Sequence, residues 1–255
     1  MKNTGSWLRM GAYALAVVMS LIPMAFAGDA ADSDMAALEI ELPEPFFGGT
    51  PLSYWGPNLE PQDYRDRPPF MAPKGTENVA LNKPVTSSVP PVYGELKQIT
   101  DGDKHYARTS LVEIPGGVQW VQVDLEKEHD IYAVLAWHFH EGNRVYFDMV
   151  IQVSNDPEFN EGVTTVYNND HDNSSGLGVG EDKEFIDDYK GRLVDTEGVS
   201  ARYVRLYGNG NTADDFNHFI EIEVYGIPKT STDEDEEDKG DMAPIDIELP
   251  EPGFG

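Results

Sequence analysis

Residues 100–110, TDGDKHYARTS, set two carboxylates about one glycine, follow them with a basic and aromatic run, and close on two hydroxyls. Two chemistries fit these types at this spacing. Asp-Gly is a common turn dipeptide, because glycine supplies positive φ and aspartate bonds its own backbone. The same turn is also able to aim several oxygens inward, as one half of a calcium site completed from elsewhere in the chain. The stretch alone leaves both open. A second group, WHFHEGNR over 137–144, places His138 and His140 two apart on one strand face. Such a pair suits a transition metal together with His171 or Asp172, although interior histidines already satisfied by hydrogen bonds are commoner. No nucleophile elbow, phosphate loop, zinc-binding helix or Cys–His arrangement occurs. With 46 acidic residues, a carboxylate pair arises without any catalytic reason, and no enzymatic activity is expected.

Short strands must position these groups. From about Thr76 to Pro228, apolar runs alternate with turn signals such as Asn155-Asp156-Pro157 and Gly208-Asn209-Gly210. In WVQVDL (120–125), Val121, Val123 and Leu125 share one face. DIYAVLAWHFH (130–140) is apolar on both faces, as a covered strand is, with Trp137 expected on the face of Ile131, Ala133 and Leu135. DMVIQVSND (148–156), ARYVRLYG (201–208) and HFIEIEVYG (218–226) continue the series. In the last, alternation sends Ile220, Ile222 and Val224 to the core and leaves Glu221 and Glu223 together on the other face. Convincing helical patterns are absent. About 150 residues of this kind imply an all-β antiparallel jelly-roll β-sandwich.

The flanks differ. Residues 1–27 carry Lys2 and Arg9, then an apolar run ending in Ala25-Phe26-Ala27, and predict a secretory signal peptide cut after Ala27. An exported protein, periplasmic or extracellular, with no membrane insertion after cleavage follows from that. Residues 28–75 are rich in proline and acidic groups but hold Phe46, Phe47, Tyr54, Trp55, Tyr64 and Phe70. That composition predicts an extended segment lying against the domain in places. Residues 229–255 open on an acidic run, KTSTDEDEEDKGD, expected to be solvated and disordered. The tail then ends in IDIELPEPGFG (245–255), which matches LEIELPEPFFG (38–48) at eight of eleven positions. Two readings of this duplication stand side by side. Either the segments are linear motifs for a protein partner, or one copy adds to the domain edge as a strand.

There is no cysteine, so the fold rests on core burial or on a bound metal. The formal charge is −28, and loss of the leader leaves 16 basic against 46 acidic residues. Such a surface repels nucleic acid and anionic membranes, and neither is expected as a partner.

The ordered set NVALNKPVTSS (78–88), ITDGD (99–103), WVQVDLEKEHDIYAV (120–134), DMVIQVSNDPEF (148–159), ARYVRLYGNG (201–210) and HFIEIEVYG (218–226) resembles the discoidin domain, or coagulation factor V/VIII C-type domain. That is a galactose-binding-like superfamily which includes family 32 carbohydrate-binding modules and fucose-binding lectins. The resemblance covers essentially all of 76–228. It implies a non-catalytic lectin-like or adhesive module for cell-surface or environmental polysaccharide. It also implies a structural calcium ion between the early turn and the last strand. Carried over, the calcium set is the Gln98 carbonyl, Asp101, the Asp103 carbonyl, a Thr109 or Ser110 oxygen, the Ile220 carbonyl and Glu221. Ligands of this fold sit on loops at one end, where sugars meet planar polar side chains and an aromatic face. The matching positions are Tyr106, Arg108, His138, His140, Asn143, Arg144, Asn169, His171 and Asn209. Arg144 falls near one arginine of the fucose lectins, but His138 stands near where the other is expected, a departure from the fucose-binding pattern. The alternative is an adhesion or scaffold protein holding a protein partner through this domain or the IELPEP segments.

Overall fold

A computed structural model of the chain describes residues 34–46 and 53–229. The expected leader, the acidic tail beyond Lys229 and the second IELPEP copy lie outside these described residues. Ten strands follow in chain order: β1 (Met35–Ala37), β2 (Met71–Pro73), β3 (Glu77–Asn78), β4 (Val85–Ser87), β5 (Val112–Ile114), β6 (Gln119–His138), β7 (Val150–Ser154), β8 (Thr164–Asn168), β9 (Arg192–Gly208) and β10 (Asn217–Pro228). The main sheet runs β3-β10-β6-β9-β7-β8, with β4 added to β6 and β5 to β10. Every pairing in it is antiparallel. β1 and β2 form a separate antiparallel pair with Ala36 opposite Ala72.

The long strands fold this sheet over one core. The first part of β6 pairs with β4 and with the end of β9, and its second part pairs with β10 and the start of β9. Val121, Val123 and Leu125 from the first part meet Val134 and Ala136 from the second in a single buried cluster, together with Ile151, Leu206, Ile222 and Val224. An antiparallel β-sandwich results, as the strand pattern predicts. Each fully buried aliphatic side chain contributes about 1.5–3 kcal/mol, which is how a chain without disulfides holds together.

The register slips between Ile131 and Ala133 in β6, and between Phe219 and Glu221 and again between Tyr225 and Gly226 in β10. These irregularities correct two expectations. Ile131 enters the main core while Ala133, Leu135 and Trp137 join a second cluster on the outer face. Likewise Ile220 joins that second cluster rather than following Ile222 and Val224 inward. An extra residue in one strand turns its neighbours to the opposite face, and simple alternation cannot foresee it.

The Pro-rich segment touches the sandwich at several points. Leu59 forms a parallel bridge with Glu184, and Glu60 N–H donates to the Glu184 carbonyl at 2.9 Å. Arg67 Nη2 donates to the Lys190 and Gly191 carbonyls, each at 2.6 Å. Nearer the start, Leu38 N–H donates to the Phe70 carbonyl at 2.8 Å, and Leu38 and Ile40 pack on the second apolar cluster. Phe46 meets Tyr106 with ring centroids 4.5 Å apart. The first IELPEP copy is thus held by apolar packing; strand pairing stops at Ala37, which replaces the edge-strand expectation for this copy.

Candidate functional site

The acidic turn is built by a 3-10 turn over Leu96–Thr100 that leads directly into Asp101. The Gln98 side chain is committed to that turn, accepting from Glu95 N–H and donating to the Thr109 carbonyl, both at 2.6 Å. Asp101 Oδ1 accepts from Asp103 N–H at 2.9 Å, and Asp103 accepts from His105 N–H at 3.0 Å and from the Ser110 hydroxyl at 2.7 Å. Gly102 adopts φ of 88°, open to glycine at no steric cost, and this points its N–H across the fold to Glu221 Oε1 at 3.1 Å. The early turn and β10 do meet here, across 119 residues of chain.

Glu221 itself is fully buried, and its Oε2 has no hydrogen-bond partner. Burial, reinforced by the charges of Glu223 and Asp101, pushes its carboxyl up to about 9. Glu223 is satisfied differently, by Lys104 Nζ at 2.7 Å and by the Tyr225 hydroxyl at 2.9 Å. The carboxylate pair expected to need water or a cation is therefore one paired glutamate and one orphan. An orphaned buried carboxylate oxygen facing a turn rich in oxygens fits a hard divalent cation.

A second acidic group lies elsewhere. Asp148, Asp170 and Asp172 each bring a carboxylate oxygen within 4.8 Å of the other two. Each of the three already has protein donors. Asp148 accepts from Ser174 Oγ and Asn209 Nδ2, Asp172 from Ser174 N–H, and Asp170 from the N–H groups of Ser174 and Ser175. Burial opposes ionisation of Asp170, but the Ser175 and Ser174 hydrogen bonds outweigh it and hold the carboxyl below its usual range.

Asp148 and Asp172 of this group lie in the wall of an open pocket of about 410 Å³, lined also by Asn58, Phe147, Asn169, His171, Ser174, Glu184 and Asn209. Three of the expected ligand residues, Asn169, His171 and Asn209, are brought together there. Asn169 fixes the pocket floor, its Oδ1 accepting from Met149 N–H at 2.7 Å, while its Nδ2 and His171 Nε2 are left without partners. Tyr54 braces the rim: its hydroxyl donates to Glu184 Oε2 at 2.6 Å and its ring lies 5.4 Å from Phe147. Burial and that carboxylate raise the Tyr54 hydroxyl well above its ordinary value, so it remains a donor. Asp148, Phe147 and Glu184 escape sequence reasoning; the aromatic content of the proline-rich segment was the one signal, through Tyr54.

The other expected ligand residues do not join them. His138, His140 and Asn143 are buried, away from the open face that a ligand would need. His138 Nδ1 bonds Asp187 Oδ2 at 2.7 Å and its ring stacks on Tyr146 at 4.3 Å. His140 bonds the His138 carbonyl at 3.0 Å, and burial lowers its ring's proton affinity. Asn143 takes the left-handed backbone region, at φ 47°. Arg144 is spent on Asp214 at 3.3 Å, His218 at 2.9 Å and the Phe139 ring. Tyr106 is packed between His105 and Phe46, and Arg108 lies over Tyr93 beside the acidic turn.

No family model matches the chain, and no curated protein matches it. Among solved structures it is similar to the family 32 carbohydrate-binding module of AlyQ in complex with 4,5-unsaturated mannuronic acid, at 21% identity over 55% of this chain and 92% of that one, with a TM-score of 0.41. It is also similar to chitosan-binding module 1 of a chitosanase/glucanase from Paenibacillus sp. IK-5, at 26% identity over 59% and 99% with a TM-score of 0.39. A fucose-binding module of Streptococcus pneumoniae, SpX-3, is similar at 16% identity over 58% and 97% with a TM-score of 0.42.

Proposed function

We propose that this protein is an exported, non-catalytic module that binds carbohydrate in the pocket around His171 and Asn209, on a sandwich stabilised by one calcium ion. The observation carrying this reading is the pocket itself. It is open, its lining mixes amides, an imidazole and carboxylates with the Phe147 ring, and two of its buried nitrogens are unpartnered. Planar polar groups around an aromatic face are the equipment for a ring of hydroxyls and C–H bonds. Asp148, Asp172 and Glu184 repel uronate and sulfated chains, so the ligand class is neutral or amine-bearing sugar.

The calcium reading rests on the Glu221 orphan oxygen. Asp101 and Glu221 side chains, with the Gln98, Asp103 and Ile220 carbonyls and a Thr109 or Ser110 oxygen, would hold the ion. Calcium supplies charge neutralisation there. The chain's own contribution is the turn, which aims Gly102 N–H and Asp101 at β10 and ties two distant segments.

The test is a glycan and polysaccharide panel run in calcium and then in chelator, with His171→Ala and Asn209→Ala beside the unaltered protein. Each substitution is expected to weaken binding about tenfold, the loss of one or two hydrogen bonds to sugar. Silence across the panel in calcium would sink the carbohydrate reading. Binding unchanged in both variants would move the ligand away from this pocket.

A further inference from the structure

The second apolar cluster lies on the outer side of β6 and β10, where Leu111, Leu135, Trp137, Ile220 and Tyr225 make a groove in which Leu38 and Ile40 pack beside Phe70 and Leu193. Along the motif the side chains alternate in depth. Leu38, Ile40, Pro43 and Phe46 are half-buried, whereas Glu39, Glu41, Leu42, Glu44 and Pro45 are exposed. The copy at 245–255 keeps that code: Ile245, Ile247 and Pro250 stand at the inward positions, and Asp246, Glu248 and Glu251 at the outward acidic ones. Lys104 lines the same cleft as Glu39 and Glu41, with its ammonium held by Glu223 at 2.7 Å. The inward difference that matters is Phe46, which rests on Tyr106 and is replaced by Gly253 in the second copy.

We propose that residues 245–250 are an alternative occupant of this groove, reached within the same chain, so that one site serves two peptides and one copy is always left free. Reach permits it. Residues 230–244 span up to about 50 Å when extended, while the nine steps along the chain from Ile220 in β10 to Lys229 just after it cover about 30 Å. Loss of Leu38 and Ile40 would uncover part of this cluster, so release of one copy favours capture of the other. The missing Phe46 ring makes the first copy the resting occupant, as the structure has it. This inference is independent of sugar binding.

Because the chain has no cysteine, disulfide trapping reads the register directly. In the full-length protein, Tyr106→Cys is combined with Gly253→Cys, the position equivalent to Phe46, and compared with Tyr106→Cys combined with Asp238→Cys. Docking in the shared register should close the first pair within a monomer about tenfold faster than the second, beyond what tethering alone gives. Ile245→Asp with Ile247→Asp should remove that advantage without touching the folded domain. Equal rates for the two pairs would overturn the proposal. Register-specific bonds that join two chains would overturn it as well, and would make a second copy the occupant.

Discussion

A carboxylate with one oxygen bonded and the other orphaned inside a sheet is stable with a proton or with a cation, and not otherwise. Glu221 is that group. Its folded-state value of about 9 against an ordinary 4.5 fixes the sign of the pH effect. Below 4.5 both folded and unfolded chains hold the proton and no penalty exists. As pH rises toward 9, the unfolded chain ionises freely and the folded one does not, so stability falls. At pH 7 the penalty is about 3 kcal/mol, from 1.4 kcal/mol per unit. In chelator, denaturant melts between pH 5 and 9 should therefore show falling stability in the unaltered protein and a flatter profile in Glu221→Gln. Calcium should restore the unaltered protein alone. Identical pH slopes in the two proteins would mean that Glu221 is not the titrating group.

At the level of the elements, alternation and turn residues were enough to read β6, β9 and β10, because a half-buried strand must repeat every second residue. Val121, Val123 and Leu125 went where that rule sends them. Ile131 and Ile220 did not, because bulges leave no compositional trace. The turn at 101–103 was legible from its Asp-Gly pair, and an interior place was the commoner reading of His138 and His140, but the partner was not legible: Asp187, which bonds His138, comes from a loop 49 residues on. Nor was it visible that Gly191 must be glycine. It sits at φ 64°, and a Cβ there would lie 2.7 Å from the Trp137 ring. That ring is fully buried and pinned by its Nε1 donating to the Tyr189 carbonyl at 2.9 Å, so it has nowhere to retreat. Gly191→Ala should cost about 2–4 kcal/mol, adding left-handed backbone strain to overpacking. Thermal denaturation with far-ultraviolet circular dichroism measures it, and a midpoint within a degree of the unaltered protein's would refute the contact.

For the whole molecule, the dominant quantity is charge. A formal −28 means the compact state works against its own field, and the opposing fields are screened over about 8 Å at physiological salt. Sodium chloride should raise the melting midpoint of any version of this protein by that general route. Calcium chloride at matched ionic strength tests something narrower, since a specific site adds stability as the logarithm of ion concentration over its dissociation constant. The unaltered protein should gain several degrees beyond the sodium curve, and Glu221→Gln should follow the sodium curve in both salts. If the variant keeps the extra calcium gain, the ion acts elsewhere, and the Asp148–Asp170–Asp172 group becomes the place to look. If neither protein gains, the acidic surface needs only screening, and Glu221 is held in the fold by its proton.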